Sequence, residues 1–267
     1  MISLIKKLIN PGLFLVGLAA VPSMSLAMDA TEIVQRSLDA TYYAGADMRT
    51  KVTMQLVNPK GDIREREMTM LRLNGVDGEQ RYYTYFHRPT DVKGTAFLVQ
   101  KFTGKEDDRW IFVPAIKLVK RIASDDKRSS FVGSDFTYED VSGREVADET
   151  HVLIGEETFE GRPVYRIESK PVKPIDYSRR VSLIDKERWL PLSEEYFDLR
   201  NRPSRVFSAV EVESIADIWT ITARTMKNLQ TGYRTDVTYQ DINYNSGLEA
   251  DIFTERYLRN PPQQWVK

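Results

Sequence analysis

The sequence contains no cysteine. That excludes disulfides, thiolate nucleophiles, thiolate metal sites and a lipoprotein-type cysteine anchor. Histidine is nearly absent. His87 and His151 stand far apart and outside any HExxH or histidine-rich cluster, so they read as surface or packed strand residues rather than metal ligands. Charge of one sign is lacking too. The formal net charge is −1, without the clustered basic surface that nucleic-acid binding requires. Gly133-Ser134-Asp135 lacks the second glycine of a nucleophile elbow. Gly104-Lys105 lacks the upstream glycine and the following Ser or Thr of a phosphate loop. Asp107-Asp108 and Asp125-Asp126 fall in polar turns and read as solvated loop acids. There is no dinucleotide fingerprint and no βαβ alternation to carry one. The residues therefore point to a chain that is not an enzyme and needs no metal or cofactor. The enzymatic alternative is a hydrolase built on a carboxylate pair, which a sequence does not reveal.

Long apolar runs are also missing. Leu13–Val21 is well short of the ~20 residues of a spanning helix. It follows Lys6-Lys7 and precedes Ser25-Leu26-Ala27, the order of regions in a secretory signal peptide. We expect residues 1–27 to be removed and residues 28–267 to form a single β domain, soluble and exported to a periplasm.

What is present is alternation. Asp29-Ala-Thr-Glu32 has capping-box spacing, and Ile33, Val34, Leu38 and Tyr42 follow at helical intervals, predicting a helix over Ala30–Tyr42. From Asp47 the period becomes two. Strands are predicted over 47–57, 63–73, 80–88, 95–102, 109–113 and 117–122, separated by turns such as Asn58-Pro-Lys-Gly61. After Val141 they resume over 151–159, 162–170, 177–185, 189–198, 204–214, 218–229 and 233–244, and Asp251–Arg259 reads as a short closing helix. A sheet of so many strands must curl to bury a face. The expectation is a mainly β chain: one strongly curved, unclosed antiparallel barrel, with one or two helices against its concave side.

Residues 124–141 break the strand pattern. Phe131, Phe136 and Tyr138 lie in a segment rich in Ser, Asp and Gly. A polar loop carrying aromatics is either pinned to a core or covers a cavity; we read it as a lid. Met54, Met68 and Met70 fall on neighbouring strands, Tyr83 and Tyr85 crowd the next, and Trp110 and Phe112 share a face of another. Each alone is an ordinary core residue. Together they suit a pocket for flexible acyl chains.

Several runs carry a resemblance: Asp91-Val-Lys-Gly94-Thr95, Arg109-Trp110-Ile-Phe-Val-Pro114, Lys120-Arg121-Ile122 and, above all, Ser129-Ser130-Phe131-Val-Gly133-Ser134-Asp135-Phe136-Thr-Tyr138-Glu139-Asp140. With these the chain resembles the outer membrane lipoprotein-sorting proteins of the LolA-like superfamily over essentially its whole mature length. The resemblance implies an unclosed β-barrel with a lid over a hydrophobic cavity. It implies lipid or lipoprotein acyl chains as ligands in a Gram-negative envelope, and a transporter of the resistance-nodulation-division type as partner. An envelope-stress sensor on the same barrel is the alternative.

Overall fold

The computed structural model describes residues 28–267; the expected signal peptide lies outside the described residues. Helix α1 spans Ala30–Tyr42. Strands β1 (Asp47–Val57), β2 (Ile63–Asn74), β3 (Gln80–Arg88), β4 (Ala96–Lys101), β5 (Asp108–Val113) and β6 (Leu118–Ile122) follow. A short helix α2 (Tyr138–Ser142) precedes β7 (Glu149–Phe159), β8 (Arg162–Pro171), β9 (Arg179–Asp185), β10 (Pro191–Phe197), β11 (Pro203–Ile215), β12 (Ile218–Asn228) and β13 (Arg234–Tyr244). Two short helices end the chain, α3 (Glu255–Arg259) and α4 (Gln263–Val266).

All thirteen strands form one antiparallel sheet in the order β6-β5-β4-β3-β2-β1-β13-β12-β11-β10-β9-β8-β7. Every neighbouring pair is also consecutive in sequence except β1 and β13, which join two meanders in mid-sheet. The sheet is not closed, because β6 and β7 are its two edges. It is nevertheless curled. One continuous apolar cluster takes Met48, Val52 and Met54 from β1, Met68 and Met70 from β2, Phe86 and Phe97 from the next two strands, and Tyr196, Phe207, Met226 and Val237 from the other meander. Side chains from both halves touch only if the sheet wraps around them. Bulges in β1 and β11 supply local bends.

Helix α1 forms where the 3.6 period placed it. Ile33 and Val34 pack on Ile167 and Ile184 of the sheet. The capping box does not form: Asp29 makes no side-chain cap. Glu32 instead pairs with Arg36 one turn on, at 2.7 Å, because that partner is in reach along the helix face.

The closing helix is shorter than expected, and it packs on the outer face rather than the concave one. Leu248, Ile252, Phe253, Leu258 and Val266 cover Leu71, Tyr83, Ala96 and Leu98 there. The sheet is thus buried on both sides around β2–β4. This explains why Gln80–Arg88 carries aromatics at successive positions: Tyr82 faces in, Tyr83 faces out, and both are buried. Asp47 fixes the return of the chain to this face, its carboxylate accepting from the backbone N–H groups of Ser246, Gly247 and Leu248 at 2.6–3.0 Å.

Candidate functional site

The two free edges, β6 and β7, are consecutive in sequence, so residues 123–148 must cross the open side of the barrel. This crossing is the expected lid. Short 3-10 turns at Ser124–Arg128 and Phe131–Gly133 lead into α2. The helix begins with a capping box: Thr137 Oγ1 accepts from Asp140 N at 3.1 Å and the Asp140 carboxylate accepts from Thr137 N at 2.8 Å. Phe131 N donates to Phe136 O at 2.8 Å and Tyr138 N to Ser129 O at 3.2 Å. This small loop turns three rings the same way, into the barrel.

Phe131 and Phe136 are each 1% exposed and Tyr138 9%. The Phe131 ring lies 5.4 Å from Phe97, edge-on, and 5.5 Å from Tyr138. Gly143 ends α2 at φ 80, and a Cβ there would meet the Tyr42 ring at 3.1 Å. Helix α1 and the lid are therefore in direct contact, and Tyr42 OH donates to Asp140 O at 3.2 Å.

A buried ionic network ties the lid down. Asp140 pairs with Arg205 at 3.1 Å and Arg144 at 3.3 Å. Glu139 takes Arg128, and Lys127 at 3.1 Å. Arg144 also reaches Glu149 at 3.7 Å and donates to Tyr196 OH at 2.8 Å. Arg180 pairs with Glu149 at 2.5 Å and with Glu194. Burial by itself would raise the Asp140 carboxyl. The guanidinium groups of Arg205, Arg144 and Arg128 outweigh it and hold Asp140 well below the usual carboxylate range. Burial likewise opposes ionisation of Glu149, and Arg180 and Arg144 win there too.

The sequence pattern missed this network. The signal was present: alternation in β9 and β10 puts Arg180 beside Ser182 and Ile184, and Glu194 beside Leu192 and Tyr196, on inward positions. A charge on an apolar face signals a partner across the barrel.

Of the expected pocket residues, Phe131, Phe136, Tyr138, Met54, Met68 and Met70 are brought together in the inner cluster. Tyr83, Tyr85, Trp110 and Phe112 are not. They lie on the outer face under the C-terminal segment, because successive residues of a strand face opposite ways. That placement removes them from the barrel interior.

The rings of the crossing segment pack into the inner cluster. Two cavities remain beneath lid and α1, of about 40 and about 70 Å³, both lined by Thr41, Tyr42 and Arg224. The larger also meets Met48, Met70, Tyr82, Ile221 and Ile242. A groove of about 450 Å³ beside α4 is lined by polar chains such as Lys51, Glu67, His87 and Gln240. Among the described residues no group of acids and histidines is placed to hold a metal, and no helix is long and apolar enough to cross a membrane.

One unclosed thirteen-strand antiparallel sheet, curled around an apolar cluster and crossed at its mouth by the segment between its two edges, is a LolA-like fold. A family model described as "Uncharacterized protein" matches residues 78–260. A domain described as an outer membrane lipoprotein-sorting protein from Vibrio parahaemolyticus is 30% identical, over 86% of this chain and 98% of that one, with a TM-score of 0.80. A DUF1329 family protein from Desulfovibrio piger is 28% identical over 86% and 97%, with a TM-score of 0.79. A LolA superfamily protein from Nitrosomonas europaea shares the fold at 16% identity, over 86% and 100%, with a TM-score of 0.69. No curated protein matches the chain. The chain belongs to the family of that outer membrane lipoprotein-sorting protein domain, and it shares the LolA-like fold.

Proposed function

We propose that this protein is a periplasmic, non-enzymatic carrier of lipid or lipoprotein acyl chains, working with an envelope transporter of the resistance-nodulation-division type. One observation carries the reading. The inner face is lined by flexible Met48, Met54, Met68, Met70 and Met226, and its cover is a crossing segment rather than another strand. Methionines repack around irregular apolar guests. A segment outside the ladder can leave while the sheet stays intact. Among the described residues, the backbone-to-backbone hydrogen bonds of 123–148 are internal to that segment, apart from Val172 N to Asp148 O at 2.9 Å at its end.

The proposal is tested by extracting the mature protein, purified from a cell envelope, and analysing the extract by mass spectrometry. An acyl-chain lipid present in stoichiometric amount is expected. An empty extract, together with no binding of a fluorescent fatty-acid probe, rejects the carrier reading.

A further inference from the structure

The interior holds more positive charge than its acids balance. Arg128, Arg144, Arg180 and Arg205 meet Glu139, Asp140, Glu149 and Glu194 in the network above. Two further arginines reach the about 70 Å³ cavity and belong to none of these pairs: Arg72 and Arg224. Arg72 is 2% exposed. Its Nε has no hydrogen-bond partner, its guanidinium donates to the neutral Ala44 carbonyl, and its guanidinium carbon lies 5.9 Å from the Tyr244 ring, with no anion among these contacts. The Arg224 Nε is likewise buried without a partner. Its guanidinium carbon lies 4.9 Å from the Phe136 ring and 5.2 Å from Tyr239, aromatic faces rather than anions. A third donor lines the same cavity: Tyr82 OH, on a side chain 2% exposed, is also unpartnered. Burial pushes that phenol up, so it stays protonated and able to donate.

Three residues that line one cavity each carry a buried donor without a partner, and two of the three are cationic. Buried donors without partners cost stability and normally find an acceptor. Water can satisfy a donor, but it cannot balance a guanidinium. Carboxylates and phosphates do both. Much of the remaining lining is apolar, with Met48, Met70, Val141, Ile221 and Ile242, and its Thr41 and Thr220 hydroxyls are already bonded to Ser37 O and Tyr244 OH.

We infer that the cavity between α1 and strands β1–β3, β12 and β13 receives the acidic headgroup of an anionic amphiphile, a carboxylate or phosphate held by Arg224, Arg72 and Tyr82. The acyl chain then follows the methionine-lined inner face. In the closed state Phe136 of the lid occupies the face of Arg224, and the anion takes over that cation as the lid ring leaves. This rests on the carrier reading and names its ligand class.

The test is equilibrium competition against a fluorescent fatty-acid probe on the mature chain, with oleate, oleyl phosphate, oleyl alcohol, and acetate and inorganic phosphate without chains. Oleate and oleyl phosphate are expected to bind at least about tenfold tighter than the alcohol, the scale of one charge-assisted pair. Free acetate and phosphate are expected not to compete at equal concentration. Arg224→Gln should reduce the acid-over-alcohol preference to about threefold or less. Tyr82→Phe, which keeps the ring, should reduce it in the same direction. Equal binding of oleate and oleyl alcohol to the wild-type chain overturns the headgroup assignment and leaves the carrier reading standing. Competition by free phosphate at the potency of the amphiphiles makes this a small-anion site and also overturns it. Binding of neither oleate nor alcohol overturns both readings.

Discussion

Phe131→Ala separates a lid from a core. The ring is 1% exposed and packs on Phe97, Phe86 and Tyr138. Removing such a ring costs about 3–5 kcal/mol when the site does not collapse. Where that cost appears depends on what the ring holds. Among the described residues, 123–147 share no backbone-to-backbone hydrogen bond with a strand; the strands reach the lid backbone through side chains, as Thr235 and Arg205 do at Asp135. The loss should therefore fall on docking of the lid and not on the sheet. Each ~1.4 kcal/mol is a factor of ten, so the open fraction should rise roughly a hundred- to a few thousand-fold. Hydrogen exchange read by mass spectrometry should show that acceleration in peptides covering residues 123–148. Peptides from β2 and β3 should exchange as in the wild type. On the proposed carrier function, in which the ligand waits on lid opening, association of a fatty-acid probe should become faster. If β2 and β3 accelerate together with the lid, the ring belongs to the global core and the separate-lid argument is wrong.

Asp140→Asn leaves Arg205 and Arg144 buried without their shared carboxylate; breaking such a pair costs about 3–5 kcal/mol, and the same lid peptides should open. Acid should destabilise the protein in two steps. Nε2 of His151 donates to Val146 O, its Nδ1 shares a hydrogen bond with Ser169 Oγ, and burial lowers its pKa, so its contribution is present above about pH 6.5 and is lost as pH falls below that value. Asp140 and Glu149 are depressed by their arginines, so theirs is present above about pH 4 and is lost on further acidification; a melting temperature that stays constant from pH 8 to pH 3 would contradict both. Reductant should leave thermal unfolding unchanged, since the chain has no cysteine. N-terminal sequencing of the exported protein should find Met28 first, and a retained Met1 would reject the signal-peptide reading.

Strand positions were legible because each residue's polarity reports its face. β7 through β13 begin and end within about two residues of the predicted runs. Helix α1 was legible to the residue for the same reason. Alternation does not say which face is inside. Trp110 and Phe112 read as pocket residues until the C-terminal segment is seen lying on them. Nor does local spacing show partners distant in sequence. Asp140 and Arg205 meet at 3.1 Å across the mouth of the barrel, and no window of sequence contains both. The capping motif misled at Asp29, where Glu32 had a nearer arginine, and went unread at Thr137, where Asp replaces the usual Glu at the third position.

The position of β1 beside β13 has a consequence for how the chain comes together. All other pairings in the sheet join consecutive strands. Each half, β1–β6 and β7–β13, is a meander of hairpins that close over short loops, and such local pairings form early and fast. The seam between them pairs Met54 with Val237 and Val52 with Tyr239, and waits for the ends of the molecule to meet. The lid is the single tether between the halves. Cleaving it therefore breaks no ladder, and two separately expressed fragments divided within residues 123–148 should reassemble along the β1–β13 seam into a barrel whose mouth stands permanently unstrapped.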